Sequence, residues 1–127
     1  MKTVAGIALL LIGVGCSETP YSEDALFREA IGGGKVEVII EGKIHKVRLC
    51  GIKPKETETD AAIKELVSVN APIVVVRNGD VAEIFVATET GEEIHLNGEL
   101  LLRDAADLDE GSVDSCPNGE VLRNVKQ

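Results

Sequence analysis

Residues 36–52 have the sequence VEVIIEGKIHKVRLCGI, which consists of two strand-like segments and a turn between them. Its first part, residues 36–40, is dominated by β-branched side chains, which favour extended strands. Residues 41–43 are Glu-Gly-Lys, a turn sequence, and a second strand-like segment follows over residues 44–52. Two such segments joined by a short glycine-containing turn predict an antiparallel β-hairpin.

Further strands are predicted on each side of this hairpin. Three consecutive glycines at residues 32–34 end the segment before it, and Arg77-Asn78-Gly79-Asp80 is a tight-turn sequence between two later segments. Glycine and asparagine favour such turns because they tolerate a positive φ angle. The remaining strand-like segments are residues 26–31, 73–76, 81–88 and 93–96.

Two helices are predicted. Thr57-Glu58-Thr59-Asp60 has the spacing of a capping box and precedes residues 61–67, whose apolar residues share one helical face. Asn97 is expected to cap a second helix over residues 99–106. This order of elements predicts a mainly β protein with α (α+β), a five-stranded Greek-key barrel of the OB-fold type with two helices.

Length and composition limit the range of functions. The chain has 127 residues, of which 44% are hydrophobic, which is enough for one core but not for two. Its net charge is −9 and only 2% of its residues are aromatic. Proteins that hold nucleic acid usually have an excess of Lys and Arg and some aromatic side chains. Overall composition therefore argues against a nucleic-acid-binding protein.

The N-terminus has the pattern of an export signal. Met1-Lys2 is a short basic start, and the apolar run over residues 3–14 is shorter than the roughly 20 residues that span a bilayer. The small residues before Cys16 resemble a bacterial lipobox, which predicts a signal peptide over residues 1–15 and lipid attachment at Cys16. Ordinary cleavage and an uncleaved anchor are the alternatives.

Lipid attachment at Cys16 predicts an exported protein anchored on the periplasmic or cell-surface side of a membrane. Residues 16–24 would then form a polar tether, and residues 25–127 the folded domain. The tether and the lipid together would hold the domain at the membrane surface.

Two cysteines remain after Cys16. Cys50 and Cys116 are an even pair, which forms one disulfide in an oxidising compartment. The alternative is that Cys50 is a small buried residue and Cys116 a free thiol in a loop. His45 and His95 each stand alone in the sequence and are expected on strand surfaces rather than in a metal site.

The hairpin also carries a family resemblance. The run Val47-Arg48-Leu49-Cys50-Gly51-Ile52, followed by Glu56, resembles the signature strand of the staphylococcal nuclease (thermonuclease) family. Supporting matches are residues 30–36, 81–86, 91–97 and 115–118, so the resemblance covers residues 25–120. It implies the same barrel fold.

The resemblance implies a particular chemistry. Members of this family are calcium-dependent phosphodiesterases that act on DNA and RNA. Two aspartates and a backbone carbonyl hold the Ca²⁺, a glutamate activates or orients water, and two arginines bind the phosphate. Hard cations prefer oxygen ligands, and guanidinium groups match the phosphate oxygens as charge develops.

This sequence keeps few of those groups. Gly34 and Lys53 occupy the positions of the two liganding aspartates, and Gly32 occupies that of a neighbouring acidic residue. Asp80 falls on or beside the position of the second arginine. Arg48 matches the first arginine. Glu56 matches the general base in an alignment without a gap, and Glu58 takes that place if a residue has been inserted. No metal cofactor is expected, because an ammonium group replaces a calcium ligand.

These substitutions predict a nuclease fold that has lost its phosphodiesterase activity and serves as a membrane-tethered binding or interaction module. An active nuclease with a rearranged site is the alternative, and a structural envelope protein is the third hypothesis. Activity on single-stranded DNA in millimolar Ca²⁺ separates the second hypothesis from the others.

Basic residues are concentrated around the signature strand. Residues 35–55 contain six basic and two acidic side chains, whereas residues 77–127 contain four basic and twelve acidic ones. Lys46 and Arg48 point to the same side of their strand, since alternate residues share a face. Either this face binds an anion or an oligonucleotide, or it is an ordinary polar sheet surface.

Overall fold

The computed structural model describes residues 21–125. The predicted signal peptide over residues 1–15 and the lipidation site Cys16 lie outside the described residues. The predicted tether reached residue 24, but residues 21–24 belong to the first strand. They pair in register with a later strand, from Tyr21 opposite Arg77 to Asp24 opposite Val74. Because residues 21–24 are mostly polar, their sequence did not indicate that they belong to a strand.

Within residues 21–125 the chain forms eight strands and three helices. Five long strands make the barrel, and three short strands connect or flank it. The strands are β1 (Tyr21–Gly32), β2 (Lys35–Ile40), β3 (Lys43–Leu49), β4 (Ile52–Pro54), β5 (Pro72–Asn78), β6 (Val81–Ala87), β7 (Glu93–His95) and β8 (Ala106–Leu108). The helices are α1 (Glu56–Leu66), α2 (Leu96–Leu102) and α3 (Gly119–Val125).

The barrel closes through one parallel contact. Strands β1, β2 and β3 form an antiparallel meander, and β1 also pairs with β5, which pairs with β6. Strand β6 then runs parallel to β3, with Arg48 opposite Val81 and Leu49 opposite Ala82. The order around the barrel, β1-β2-β3-β6-β5, is that of an OB-like barrel. The predicted five-stranded α+β barrel is therefore confirmed at this level.

The hairpin of β2 and β3 follows from its sequence. Val36, Val38 and Ile40 point into the barrel and are buried, while the residues between them face outward. Glu41 and Gly42 form the turn with φ angles of 53° and 80°. Two consecutive positive φ angles are typical of the type I′ turn, whose twist suits a two-residue hairpin.

The segment predicted as one strand over residues 44–52 is broken after Leu49. Gly51 has a φ of +76°, and a Cβ atom there would lie 2.8 Å from Leu122 Cδ1. Glycine suits this position because a side chain would be strained at this φ and would press on Leu122 and on the Cys116 sulfur. The chain turns at Gly51 and resumes as β4, which pairs with β8 through Lys53 opposite Asp107.

Both predicted helices begin earlier than expected, and a third helix was not predicted. Helix α1 begins at Glu56, so the capping-box residues lie inside it. The hydroxyl of Thr59 accepts a hydrogen bond from the Lys55 N–H and donates one to the Ala105 carbonyl. Asn97 is the second residue of α2 and bonds to the sheet instead of capping the helix. Helix α3 buries Leu122 in the core.

Candidate functional site

The positions that the family resemblance assigns to a catalytic site lie close together at one end of the barrel. The Leu49 N–H donates to the Gly34 carbonyl at 2.8 Å, and the Arg48 N–H donates to the Asp80 carbonyl at 3.3 Å. The β1–β2 turn, the end of β3 and the β5–β6 turn therefore meet here. In OB-type barrels the corresponding turns flank the ligand-binding face.

Lys53 belongs to the same end. It is an exposed residue of β4, and the next residue, Pro54, would lie 3.6 Å from a Cβ atom at Gly34. The two positions at which the family resemblance expects metal-binding aspartates are thus close together. One has no side chain and the other has an ammonium group, so neither can ligate a cation.

Glu56 and Glu58, the two candidates for the general base, both lie in the first turn of α1. Both are exposed, and Glu56 has a φ of +39°, which is unfavourable for a residue other than glycine. In the part of the chain that the structure describes, neither carboxylate has a hydrogen-bond or ion-pair partner. Lys55, by contrast, donates to the Asp104 carbonyl at 2.8 Å and lies 3.7 Å from Asp107.

Three cations lie on the outer face of β2 and β3. Lys35 is directly opposite Arg48 in the β2–β3 ladder, and Lys46 lies on the same side of β3 as Arg48. We call Lys35, Lys46 and Arg48 the cationic face. All three are exposed, and none forms an ion pair with a residue in the range 21–125. Glu37 lies directly opposite Lys46 in the same ladder and forms its ion pair with Arg28 at 3.1 Å.

The Lys35–Arg48 pair has an electrostatic cost. Like charges directly opposite each other on a sheet repel and destabilise the strand pair. A bound anion would remove this repulsion, since guanidinium and ammonium groups both donate to phosphate oxygens. The cationic face is therefore suited to binding a phosphate or another anion.

One further acid stands near this end. Asp60 lies on α1, and its Oδ2 atom would be 3.9 Å from a Cβ atom at Gly32. The other carboxylate oxygen, Oδ1, is buried and has no hydrogen-bond partner. From the sequence Asp60 was expected only to belong to a capping box, because its proximity to Gly32 depends on how α1 packs against the barrel.

A second polar cluster lies on the outer side of β6 and was missed by the sequence analysis. Glu83 is fully buried, and Asn118 donates to it through its backbone N–H at 2.6 Å and its side-chain Nδ2 at 2.8 Å. His95 Nε2 lies 2.8 Å from Glu83 Oε1, and the His95 ring stacks on Phe85. His95 lies on a strand, as expected, but its side chain is partly buried because β7 packs its ring against Phe85.

The Glu83 carboxylate is stabilised as an anion. Burial alone raises the pKa of Glu83, but the contact with His95 and the two hydrogen bonds from Asn118 lower it by more. The net effect places this pKa below its ordinary value. A single charged residue inside the apolar run of residues 81–86 was the available sequence signal, since a buried charge needs partners.

A disulfide joins Cys50 to Cys116, with their Cα atoms 5.7 Å apart. Of the two alternatives open from the sequence, a disulfide or two free cysteines, the structure contains the disulfide. It connects the end of β3 to the loop before α3. Cys50, Cys116 and Glu83 are also the only group of three Cys, His, Asp or Glu residues within positions 21–125 whose potential ligand atoms lie close together.

Comparisons with known proteins do not identify the chain. No protein-family model matches this sequence, and no curated protein gives a significant match. None of the helices between residues 21 and 125 combines the length and the hydropathy that crossing a membrane requires.

Proposed function

We propose that the barrel within residues 21–125 is nuclease-like and binds a phosphate-bearing anion, such as a single-stranded oligonucleotide, without hydrolysing it. The lipobox-like sequence before Cys16 supports an exported domain held at a membrane by a lipid. In this proposal the chain is a tethered binding module rather than an enzyme.

The observation that carries the proposal is the cationic face. Lys35 and Arg48 are neighbours across the strands, and no carboxylate within residues 21–125 compensates either charge. Arg48 is also the residue that the family resemblance assigns to phosphate binding. A protein with a net charge of −9 that places Lys35 and Arg48 side by side, with neither in an ion pair within residues 21–125, has a local site for an anion.

The loss of hydrolysis follows from the neighbouring positions. Gly34 and Lys53 supply no carboxylate for Ca²⁺, and Asp80 would repel a phosphate where the family resemblance expects an arginine. Removing one preorganised group that stabilises transition-state charge costs about 3–4 kcal/mol. Three such changes at one site therefore support binding without turnover.

The test is a titration of a labelled single-stranded DNA of about ten nucleotides, followed by fluorescence anisotropy. The double variant Lys46→Gln/Arg48→Gln should bind about tenfold more weakly at low salt. The control is Lys64→Gln, which removes an exposed cation from α1 and should leave the affinity unchanged. Weakening by the control in proportion to the one charge that it removes, against two in the double variant, would show that only the total charge matters and would refute a specific face.

An active nuclease with a rearranged site is the second candidate, and Asp60 is the observation that favours it. Its buried Oδ1 has no hydrogen-bond partner, and Asp60 lies beside Gly32, where the resemblance expects an acidic residue. The assay is cleavage of single-stranded DNA in millimolar Ca²⁺. Turnover that is abolished by EDTA, by Arg48→Ala and by Asp60→Asn would establish this candidate and refute the binding module.

A further inference from the structure

A cleft lies at the opposite end of the barrel from the cationic face. It has a volume of about 500 Å³ and includes the β2–β3 turn at Glu41 and Gly42. This turn and the Lys35–Arg48 pair lie at opposite ends of the same hairpin. The cleft is therefore a separate site.

Apolar side chains form most of the cleft wall. Leu26 is opposite Ile39, and Val74 is opposite Phe85, so these side chains share the outer face of four adjacent strands. Leu26 is 40% exposed, although leucine is usually buried. A concave, mainly apolar surface of this volume is typical of a site for a small organic molecule.

Three carboxylates stand around this apolar surface. Asp24, Glu41 and Glu93 line the cleft, and no Lys, Arg or His residue does so. All three are exposed, and within the described range none is part of an ion pair. Acidic groups beside an apolar, low-dielectric wall produce a negative potential that attracts cations and repels anions.

We propose that this acidic cleft binds a small organic cation with an apolar body, such as an alkylammonium compound. The apolar body would contact Leu26, Ile39, Val74 and Phe85, and the cationic group would lie among the carboxylates. This ligand is opposite in charge to the one proposed for the cationic face, so the two sites are independent.

A second copy of the chain fits the cleft less well. A symmetric dimer formed through this face would bring the same three carboxylates of each copy together. Juxtaposed like charges at an interface are strongly unfavourable. A neutral apolar ligand would leave the carboxylates without a role, and an anion would be repelled by them.

The experiment compares three probes of one shape, hexylammonium, hexanol and hexanoate, by NMR titration of the full chain. We expect saturable shifts at residues of the cleft with hexylammonium, weaker binding of hexanol, and no binding of hexanoate. The triple variant Asp24→Asn/Glu41→Gln/Glu93→Gln should bind hexylammonium about tenfold more weakly. Added salt should weaken the wild type and have little effect on the variant.

The control variant is Glu120→Gln, which removes an exposed carboxylate from α3 and should bind hexylammonium as the wild type does. The spectra of each variant also show directly whether it is folded. The proposal is refuted if hexanol or hexanoate binds as tightly as hexylammonium, or if the triple variant keeps wild-type affinity. Self-association that blocks the cleft would refute it as well.

Discussion

Asn97 shows how one buried side chain completes the barrel. Strand β3 leaves β6 after Leu49, and β7 joins β6 only at Phe85. Between these points the Asn97 side chain accepts from the Ile84 N–H at 3.1 Å and donates to the carbonyls of Cys50 and Ala82. It supplies the hydrogen bonds that a strand would otherwise provide.

Replacing Asn97 by leucine tests this role. Asn97→Leu keeps the volume but leaves the buried Ile84 N–H and Cys50 carbonyl without their amide partner, so the free energy of unfolding should fall by about 2–4 kcal/mol. The measurement is urea unfolding followed by circular dichroism. Asn124→Ala, at an exposed position of α3, should change it by less than about 0.5 kcal/mol. Similar losses in the two variants would contradict the proposed bridging role.

Glu83 predicts how stability depends on pH. Its pKa in the folded protein lies below the ordinary value of 4.5, because its partners favour the carboxylate. The resulting stabilisation is therefore fully present above that ordinary value and is lost as the pH falls through the lower, folded-state pKa. Acid should destabilise the wild type more than Glu83→Gln, which lacks this group.

The contribution of Glu83 to the free energy of unfolding can be measured with a single substitution. Near neutral pH, Glu83→Gln should lower the free energy of unfolding by about 1.5–3 kcal/mol, as expected for hydrogen bonds to a charged group. Urea unfolding at a series of pH values measures this difference. A difference that stays constant down through the acid range would show that the Glu83 charge does not contribute to folding.

At the level of elements, the strands were easier to predict than the helices. The β-branched runs of β2 and β5 indicate strands directly, and the glycine turns after them mark their ends. The helix ends depend on tertiary contacts instead. Thr59 donates a hydrogen bond to the Ala105 carbonyl, and Asn97 accepts one from β6. Residues that resemble helix caps in the sequence therefore make tertiary hydrogen bonds instead. Helix α3 was missed because it is only seven residues long, too short for a clear helical periodicity.

The disulfide constrains the segment that precedes helix α3. It closes a loop between residues 66 positions apart and holds the segment before α3 against the end of β3. The double variant Cys50→Ala/Cys116→Ala should lose about 2–4 kcal/mol of unfolding free energy. Urea unfolding of the wild type with dithiothreitol should show a similar loss, and the variant should not respond to the reductant. A wild type that is equally stable with and without reductant would contradict this role.

At the level of the whole molecule, charge is separated between the two ends of the barrel. Lys35 and Arg48 stand at one end, and Asp24, Glu41 and Glu93 surround the cleft at the other. The net charge of −9 conceals this separation, because it averages over the surface. The charge of a ligand should therefore decide which end of the barrel it binds, even though the net charge of the protein is negative.

The sequence predicted one candidate site and not the other. Gly34, Arg48 and Asp80 could be grouped because the resemblance and the barrel topology place their turns together. The acidic cleft could not, since it depends on the register that sets Leu26 beside Ile39 and Val74 beside Phe85. The contact of Glu83 with Asn118 joins residues 35 positions apart, and no local pattern indicates that pairing.

The most direct test of the cationic face is the salt dependence of oligonucleotide binding. Each phosphate neutralised on a single strand contributes about −0.7 to the slope of log affinity against log salt concentration. With Lys35, Lys46 and Arg48 engaged, we predict a slope of about −2 for the wild type and about −0.7 for Lys46→Gln/Arg48→Gln. Absence of binding at low salt, or an affinity that does not change with salt, would contradict the account.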